Sequence, residues 1–320
     1  MKTPKLPTPD ELSLPQIMAR FPDEKSAIAY FETLRWADGV TCPHCGNDDE
    51  SRFWSITANA EKKVRVGLRQ CGECKKQFRV TVGTIFEDSH LPLNIWIIAW
   101  YIMSGAKKGI SAKQMQRHLG LGSYKSAWFL CHRIRHAMQD PIFTKKLSGT
   151  VEVDEAYIGG KRRGVGSGSK EGKVGVVSLV ERGGTKRSIV MERVNAAGLK
   201  NAIAQHIAPQ STVCTDDSNK YPKIGAQFHH HAVNHTKREY ARKLNEKFTA
   251  HSNTVESSFS LLKRGIVGSF HHVSKKLLGL YLSEFDFRWN HRQTTDGART
   301  VAGLKKAEGK RLTYKPLTRS

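Results

Sequence analysis

The amino-acid sequence predicts an α/β protein whose sheet domain is preceded by smaller elements, and three observations carry that prediction. Two Cys-x-x-Cys pairs, Cys42/Cys45 and Cys71/Cys74, lie ahead of the main body. A helical pattern occupies Leu93 to Met138. From Val151 onward β-prone runs alternate with amphipathic helices, and acids follow two of those runs directly. The expected divisions are a helical segment over 1–36, a zinc ribbon over 37–90, a helix-turn-helix-like segment over 91–140, a sheet domain over 148–295 and a basic tail over 296–320.

A length of 320 residues gives ample chain for a real core. Lys and Arg number 52 against 29 Asp and Glu, a net charge of +23. An excess of that size implies a polyanionic partner, most often nucleic acid. A basic ribosome-associated protein, or a merely soluble one, is the plainer reading of charge alone. The longest strongly apolar run, Ile95 to Met103, falls short of the roughly 20 residues that span a bilayer. Met1 to Pro7 lacks the apolar core of a signal peptide, which argues against secretion. A cytoplasmic, nucleoid-associated protein with no membrane partner is therefore expected, its six cysteines reduced or metal-bound.

Ser13–Phe21 and Glu24–Trp36 have the spacing of two short helices, the second with Ala27, Ile28, Phe31 and Leu34 in helical register. Cys42-Pro43-His44-Cys45-Gly46 and Cys71-Gly72-Glu73-Cys74-Lys75 then form two knuckles. The tight turn of each aims two thiolates and nearby amides at one tetrahedral ion, so one structural zinc is expected on Cys42, Cys45, Cys71 and Cys74. Residues 46–70 between them exceed the commonest spacing of about 15–20, which a longer hairpin accommodates. A redox dithiol pair is the weaker alternative, because no thioredoxin-like βαβ pattern surrounds either knuckle. His44 is at most a spare ligand, and Cys131 and Cys214, in apolar contexts, read as buried thiols.

Leu93–Tyr101 is strongly apolar and reads as a buried helix. Ser111 is placed to cap Ala112–Leu119, Gly120-Leu121-Gly122 to turn the chain, and Ser123 to cap a second helix through Met138. A helix, a glycine turn and a helix carrying Lys125, His132, Arg133, Arg135 and His136 resembles a helix-turn-helix. Lys125, Arg133 and Arg135 are its candidate DNA contacts; the competing reading is a helical hairpin that binds nothing. Pro141–Thr150 reads as a linker. Beyond it, Val151–Val153, Val174–Val180 and Ser188–Val194 are strand-like, Ala197–Ile207 is helical, and Thr212–Thr215 and Phe228–Val233 are strand-like again. Three adjacent strands followed by alternating helices and strands is the order of a ribonuclease-H-like fold. Lys161–Lys170, rich in glycine, serine and bases, is expected as a flexible loop against a DNA backbone, or as a solvated loop with no partner. After Val301, six bases including Lys305, Lys310 and Arg319 meet the single acid Glu308, the composition of a mobile tail.

Asp154 and Asp216 each follow a β-prone run, while Glu256 lies in a helical pattern with Lys263 seven residues later on the same face. In a chain this basic, two acids at strand ends and one on a helix can hold two magnesium (or manganese) ions against a phosphodiester. Carboxylate oxygens suit magnesium, and a metal pair steadies both the attacking and the leaving oxygen of an in-line displacement. Lys263 can then reach a phosphate of the same strand. Asn253, one turn before Glu256, is a neutral ligand for metal or phosphate, and Asn290 joins the candidate set. A single strand-end Asp is as often a solvated turn residue; the combination decides. Glu155 and Asp217 point away from their neighbouring acids and rank second. His229, His230 and His231 alternate along a strand and cannot all face one ion; His235 is a candidate for the pocket.

The motifs in combination resemble those of the DDE-type insertion-sequence transposases that carry an N-terminal zinc ribbon and an ISXO-like catalytic domain. They run from about Phe21 to Arg292 and include both knuckles, Gly83-Thr84-Ile85-Phe86, Gly109-Ile110-Ser111, Val153–Gly160, Thr215-Asp216, Val233-Asn234-His235, Asn253–Ser257, Leu262–Gly265 and Arg288–Arg292. The resemblance implies that Asp154, Asp216 and Glu256 form the catalytic triad. Members differ over Asn or Glu at the third position, and both Asn253 and Glu256 are present here. It implies cutting of transposon ends and joining of the 3′-hydroxyl to target DNA. The partners would be double-stranded DNA, as terminal inverted repeats and target, and further copies of the chain on that DNA. No nucleotide cofactor is expected, in keeping with the lack of a Walker-type glycine loop. Two rivals stay open: a zinc-ribbon regulator whose sheet domain has lost chemistry, and a metal-dependent nuclease without strand transfer.

Overall fold

The computed structural model describes residues 12–140, 145–160, 171–216, 221, 224, 226–234, 237, 239–246 and 248–318. The chain divides into two compact units, one gathering residues up to 106, 110–138 and those from 293 on, the other 107–109 and 139–292. The expected loop Lys161–Lys170, Asp217, His235 and Arg319 lie outside the described residues.

In the first unit α1 (Leu14–Arg20) and α2 (Glu24–Arg35) form as the periodicity predicts. Asp23 caps α2, accepting from the Ser26 amide at 2.8 Å, and the helix buries Ala27, Ile28 and Phe31. The strands β1 (Phe53–Ser55), β2 (Arg69–Cys71) and β3 (Gln77–Phe78) make a three-stranded antiparallel ribbon in that order. Three charged contacts fasten it to α2. Arg35 Nη1 donates to the carbonyls of Val80 (2.7 Å) and Val82 (2.6 Å), Arg69 pairs with Glu32 at 3.1 Å, and Arg79 pairs with Glu24 at 2.8 Å. Next, α3 (Leu93–Gly105) buries Trp96 and Trp100 completely, as its apolar sequence demands. Helices α4 (Ala112–His118) and α5 (Tyr124–Met138) start at the expected serines: Ser111 Oγ accepts from the Gln114 amide at 3.1 Å, and Ser123 Oγ from that of Ser126 at 3.0 Å.

The second unit is built on a five-stranded sheet. Its strands are β4 (Thr150–Ile158), β5 (Val174–Glu181), β6 (Lys186–Met191), β7 (Thr212–Asp216) and β8 (His229–Val233), in the order β6-β5-β4-β7-β8. β4, β5 and β6 are antiparallel neighbours, and β7 and β8 add in parallel. Helix α6 (Ala196–His206) joins β6 to β7 and covers one face, packing Leu199 and Ile203 on Val151, Val153, Val177 and Leu179. Alternation sends Ala156, Ile158, Val176 and Val180 to the other face. There they meet Val255, Phe259 and Leu262 of α7 (Asn253–Gly265) and Leu282 and Phe285 of α8 (Leu278–Asn290). A short antiparallel hairpin of β9 (Ala241–Lys243) and β10 (Thr249–His251), not foreseen in the sequence, precedes α7. Two sequence expectations change here. Asp154 is not at a strand end: β4 continues to Ile158, because Ala156 and Ile158 extend the apolar face. Asn290 is structural: its side chain accepts from the Lys186 amide at 2.7 Å and donates to the Lys186 carbonyl at 3.2 Å, fixing α8 to β6.

The chain then returns to the first unit as α9 (Asp296–Lys305) and α10 (Tyr314–Thr318). α9 lies against α3 where Gly303 makes room; a Cβ there would fall 2.3 Å from the Trp100 ring. The Ile85 amide donates to Ala307 O at 2.9 Å, Lys310 Nζ donates to Ala137 O at 2.7 Å, and Tyr314 packs edge-on against Phe129. Residues 296–318 are thus a folded part of this unit and not the expected mobile tail. Their many lysines and arginines concealed two short amphipathic stretches. No helix among the described residues is long and apolar enough to cross a membrane.

Candidate active site and metal centre

Register brings the first two acids together. β4 and β7 run parallel with Val151 beside Val213 and Glu152 beside Cys214, and the same offset carried two residues on sets Asp154 beside Asp216. Glu256 enters from α7, whose Val255, Phe259 and Leu262 are buried while Asn253, Glu256, Ser260 and Lys263 form an exposed stripe. Burial, together with the charges of Asp216, Glu155 and Glu256, pushes the Asp154 carboxyl up to about 7. The Glu155 amide, donating to Asp154 Oδ1 at 2.7 Å, opposes that rise. Glu256 accepts from Ser252 Oγ at 2.7 Å. Glu155 itself accepts from Tyr221 Oη at 2.6 Å, and Tyr221 packs in the cluster on the α6 face.

A carboxyl held near neutrality by burial, with neighbouring carboxylates adding to the rise, suits a divalent cation, whose charge favours the ionised form. Asp154, Asp216 and Glu256 are the residues that would hold it. The raised value has a thermodynamic sign. The folded Asp154 keeps its proton in a pH range where the unfolded one has lost it, so this group lowers stability as pH rises from about 4 to about 7. In magnesium-free buffer Asp154→Asn is therefore expected to be more stable than the parent above pH 7. The gap, about 1.4 kcal/mol per pKa unit at most, should close toward pH 4. Urea unfolding across pH checks this; a constant gap refutes the raised value.

Beyond Glu256, α7 ends in a π-helical turn, Ile266–Phe270. Gly265 allows close approach of the Lys107–Gly109 segment: a Cβ there would lie 2.6 Å from Lys108 O. The result is an open cleft of about 550 Å³ lined by Lys108, Lys263, Arg264, Val267, Gly268 and Ser269. Its three cations continue the exposed stripe that begins at Asn253.

The four cysteines of the ribbon converge. Their Sγ atoms all lie within 4.8 Å of one another, with Cys42–Cys74 and Cys45–Cys71 each 3.7 Å apart. A tetrahedron with Zn–S bonds of about 2.3 Å has edges of about 3.8 Å, so the set fits zinc. Gly46 (φ 76°) and Lys75 (φ 58°) take the same left-handed position after the second cysteine of each knuckle. Among the described residues no other His, Cys, Asp and Glu side chains bring three ligand atoms that close, and the acids near Asp154 are more widely spread. The histidine strand makes no metal group: His230 Nε2 lies 2.8 Å from Thr215 Oγ1, and the His231 ring packs against Phe248.

The expected recognition helix is corrected. Only the start of α5 is exposed, with Tyr124 51% accessible and Lys125 beside it, the Lys125 ammonium 4.4 Å from the Tyr314 ring centroid. Arg133 and Arg135 are buried. Arg133 sits over Trp96 and Phe129 and donates to the carbonyls of Ile85 and Glu87, and burial lowers its pKa to about 10. It holds α5 to the end of the ribbon. Arg133→Ala should lower stability by about 1–3 kcal/mol for each carbonyl left unpaired. Chemical denaturation would show this, and an unchanged midpoint would count against the buried role.

One group at the site escaped the sequence reading. Glu152 is 0% exposed and accepts from Arg182 Nε (2.7 Å), Thr254 N (2.7 Å), Thr254 Oγ1 (2.9 Å) and Val255 N (3.0 Å). In Val151-Glu152-Val153-Asp154 the two acids alternate with valines, which places both on one face; that pattern was the available signal.

Comparison places these features among known proteins. Residues 22–77 match the family described as the transposase zinc-ribbon domain, and residues 146–290 match the ISXO2-like transposase domain. The chain is also similar to a protein of Halobacterium salinarum described as an uncharacterized protein in transposable element ISH50. The two are 28% identical over 287 residues, covering 84% of this chain and 91% of that protein.

Proposed function

Because the chain belongs to the insertion-sequence transposases that pair a zinc ribbon with an ISXO2-like transposase domain, we propose that it cuts the ends of its element and joins them to target DNA. The observation that carries this reading is the Asp154 carboxyl, raised by burial and by Asp216, Glu155 and Glu256, on a sheet whose α7 also presents Lys263. The strand order, three antiparallel strands continued by two parallel ones, supports a ribonuclease-H-like sheet. Two magnesium or manganese ions, held by Asp154, Asp216 and Glu256, would supply Lewis acidity and charge neutralisation to a phosphodiester.

The residues divide the remaining work. Lys263, with Lys108 and Arg264 along the cleft, binds phosphates of the strand and orients the scissile bond. Asn253 adds a neutral contact at the head of the same stripe. Water attacks phosphorus and the 3′-oxygen leaves, giving a 3′-hydroxyl and a 5′-phosphate. The 3′-hydroxyl then attacks a target phosphodiester, and a target 3′-hydroxyl leaves in turn. No protein nucleophile is used. The ribbon and the α4–α5 pair recognise the terminal inverted repeats, several copies of the chain assembling on the DNA.

Purified protein incubated with magnesium and a duplex of the DNA flanking its gene should nick the element ends and join them to a second duplex. Nicking without joining would leave a nuclease, and neither would remove the proposal. For recognition, Lys125→Ala should weaken end binding and flatten the log–log salt dependence by about 0.9 if it meets a phosphate. If Lys125 reads a base, the loss is about 1–3 kcal/mol on the cognate end alone. Unchanged binding across the salt range would take the start of α5 out of the groove.

A further inference from the structure

Helix α7 has no cap of its own. Ser252, at the N-cap position, makes no side-chain cap hydrogen bond; its hydroxyl donates to Glu256 instead. The first-turn amides of Thr254 and Val255 donate to Glu152 Oε2 from β4, and the Thr254 hydroxyl donates to Oε1. Arg182 completes the set from the other side. Its Nε donates to Glu152 Oε1, while Nη1 and Nη2 donate to the carbonyls of Thr249 (2.8 Å) and His251 (3.0 Å) on β10. His251 Nδ1 lies 3.1 Å from the same carboxylate oxygen.

A fully buried carboxylate is a poor device for stability alone, because well-packed apolar residues in its place are often as good or better. What a leucine could not supply is a directional link to two amides of one helix turn. Glu152 and Asp154 are two residues apart on one face of the same strand, so a single rigid segment both grips α7 and presents Asp154. Glu256 follows Val255 directly. We infer that Glu152 is a positioning residue: it caps α7 from outside the helix and thereby sets where Glu256 lies relative to Asp154 and Asp216. This rests on the reading of those three acids as the metal-holding set.

The test uses the full chain. Glu152→Gln keeps the size of the side chain but offers an amide where donors converge, and Thr254→Val removes one donor while leaving the carboxylate in place. In DNA-free protein, the amides of Thr254 and Val255 should exchange hydrogen at least about tenfold faster in Glu152→Gln. Manganese binding, followed by electron paramagnetic resonance of the free ion, should weaken by about 10–100-fold, the range for groups that orient metal ligands. Thr254→Val should show a smaller loss of manganese affinity with an unchanged melting temperature. Strand joining should fall with metal affinity while end binding stays within about twofold, which a loss of folded protein would not produce. Parent-like manganese affinity in a folded Glu152→Gln or in Thr254→Val overturns the inference alone. A parent that binds manganese no better than Asp154→Asn overturns the metal reading beneath it as well.

Discussion

Asp154→Asn, Asp216→Asn and Glu256→Gln are each expected to reduce end cleavage at least about a hundredfold while end binding stays within a few-fold. Each change removes one negative charge with little change in shape, so the proposed metal-holding capacity would be lost while Lys108, Lys263 and Arg264 stay in place. Asp154 lies where three other carboxylates already raise its pKa, and the loss there should be the most complete. Asn253→Ala should cost less than Glu256→Gln, because a neutral amide on the exposed stripe cannot replace an anion. The opposite order would make Asn253 the third ligand. Cleavage is read on end-labelled duplex in magnesium; a variant with near-parental rate removes its residue from the triad.

The second large effect is on folding. One zinc per chain should copurify, and its removal should unfold the ribbon, to which thiolate coordination contributes roughly 10–16 kcal/mol. The structure extends the consequence past residues 40–80. Cys42, Cys71 and Phe78 form one buried cluster with Trp36, Val40 and Phe53, and the ribbon is tied to α2 through Arg35, Arg69 and Arg79. Hydrogen exchange after chelation should therefore rise in α2 as well. The clusters of the second unit contain no ribbon residue, and their protection should persist. Protein purified without chelators and found free of zinc would defeat this.

What the sequence discloses depends on whether a residue's surroundings are local. The β4, β5 and β6 elements were legible because valines and isoleucines recur along them, and α6 because Leu199, Ala202 and Ile203 fall on one helical face. The cysteine knuckles were legible because both ligands of each pair sit within one turn. Charged residues misled wherever a distant element neutralises them. Arg133 and Arg135 look like a DNA-facing row, yet Arg133 is enclosed by Trp96, Phe129 and two carbonyls from before α3. Glu152 looks like the solvated side of a strand, yet its donors are Arg182, 30 residues on, and Thr254 and Val255, about a hundred residues on. Asn290 invited a catalytic role, and its partner is the backbone of β6. Lys186 and Asp286 form a buried pair at 3.3 Å that nothing in their neighbourhoods announces.

The first unit is finished by residues that come after the whole of the second. During synthesis, Trp100 and Ile85 emerge long before Gly303 and Ala307, the positions that cover and pair with them. At about 5–20 residues per second, the ribosome takes on the order of ten to forty seconds to travel from α5 to α10. For that interval the α3 surface meant for α9 has no cover, and the sheet unit, complete by residue 292, can fold ahead of it. A polypeptide stopped between Glu256 and residue 293 would carry every acid of the candidate active site but an incomplete zinc-ribbon unit. Completion of the chain is thereby coupled to completion of the half that would find DNA.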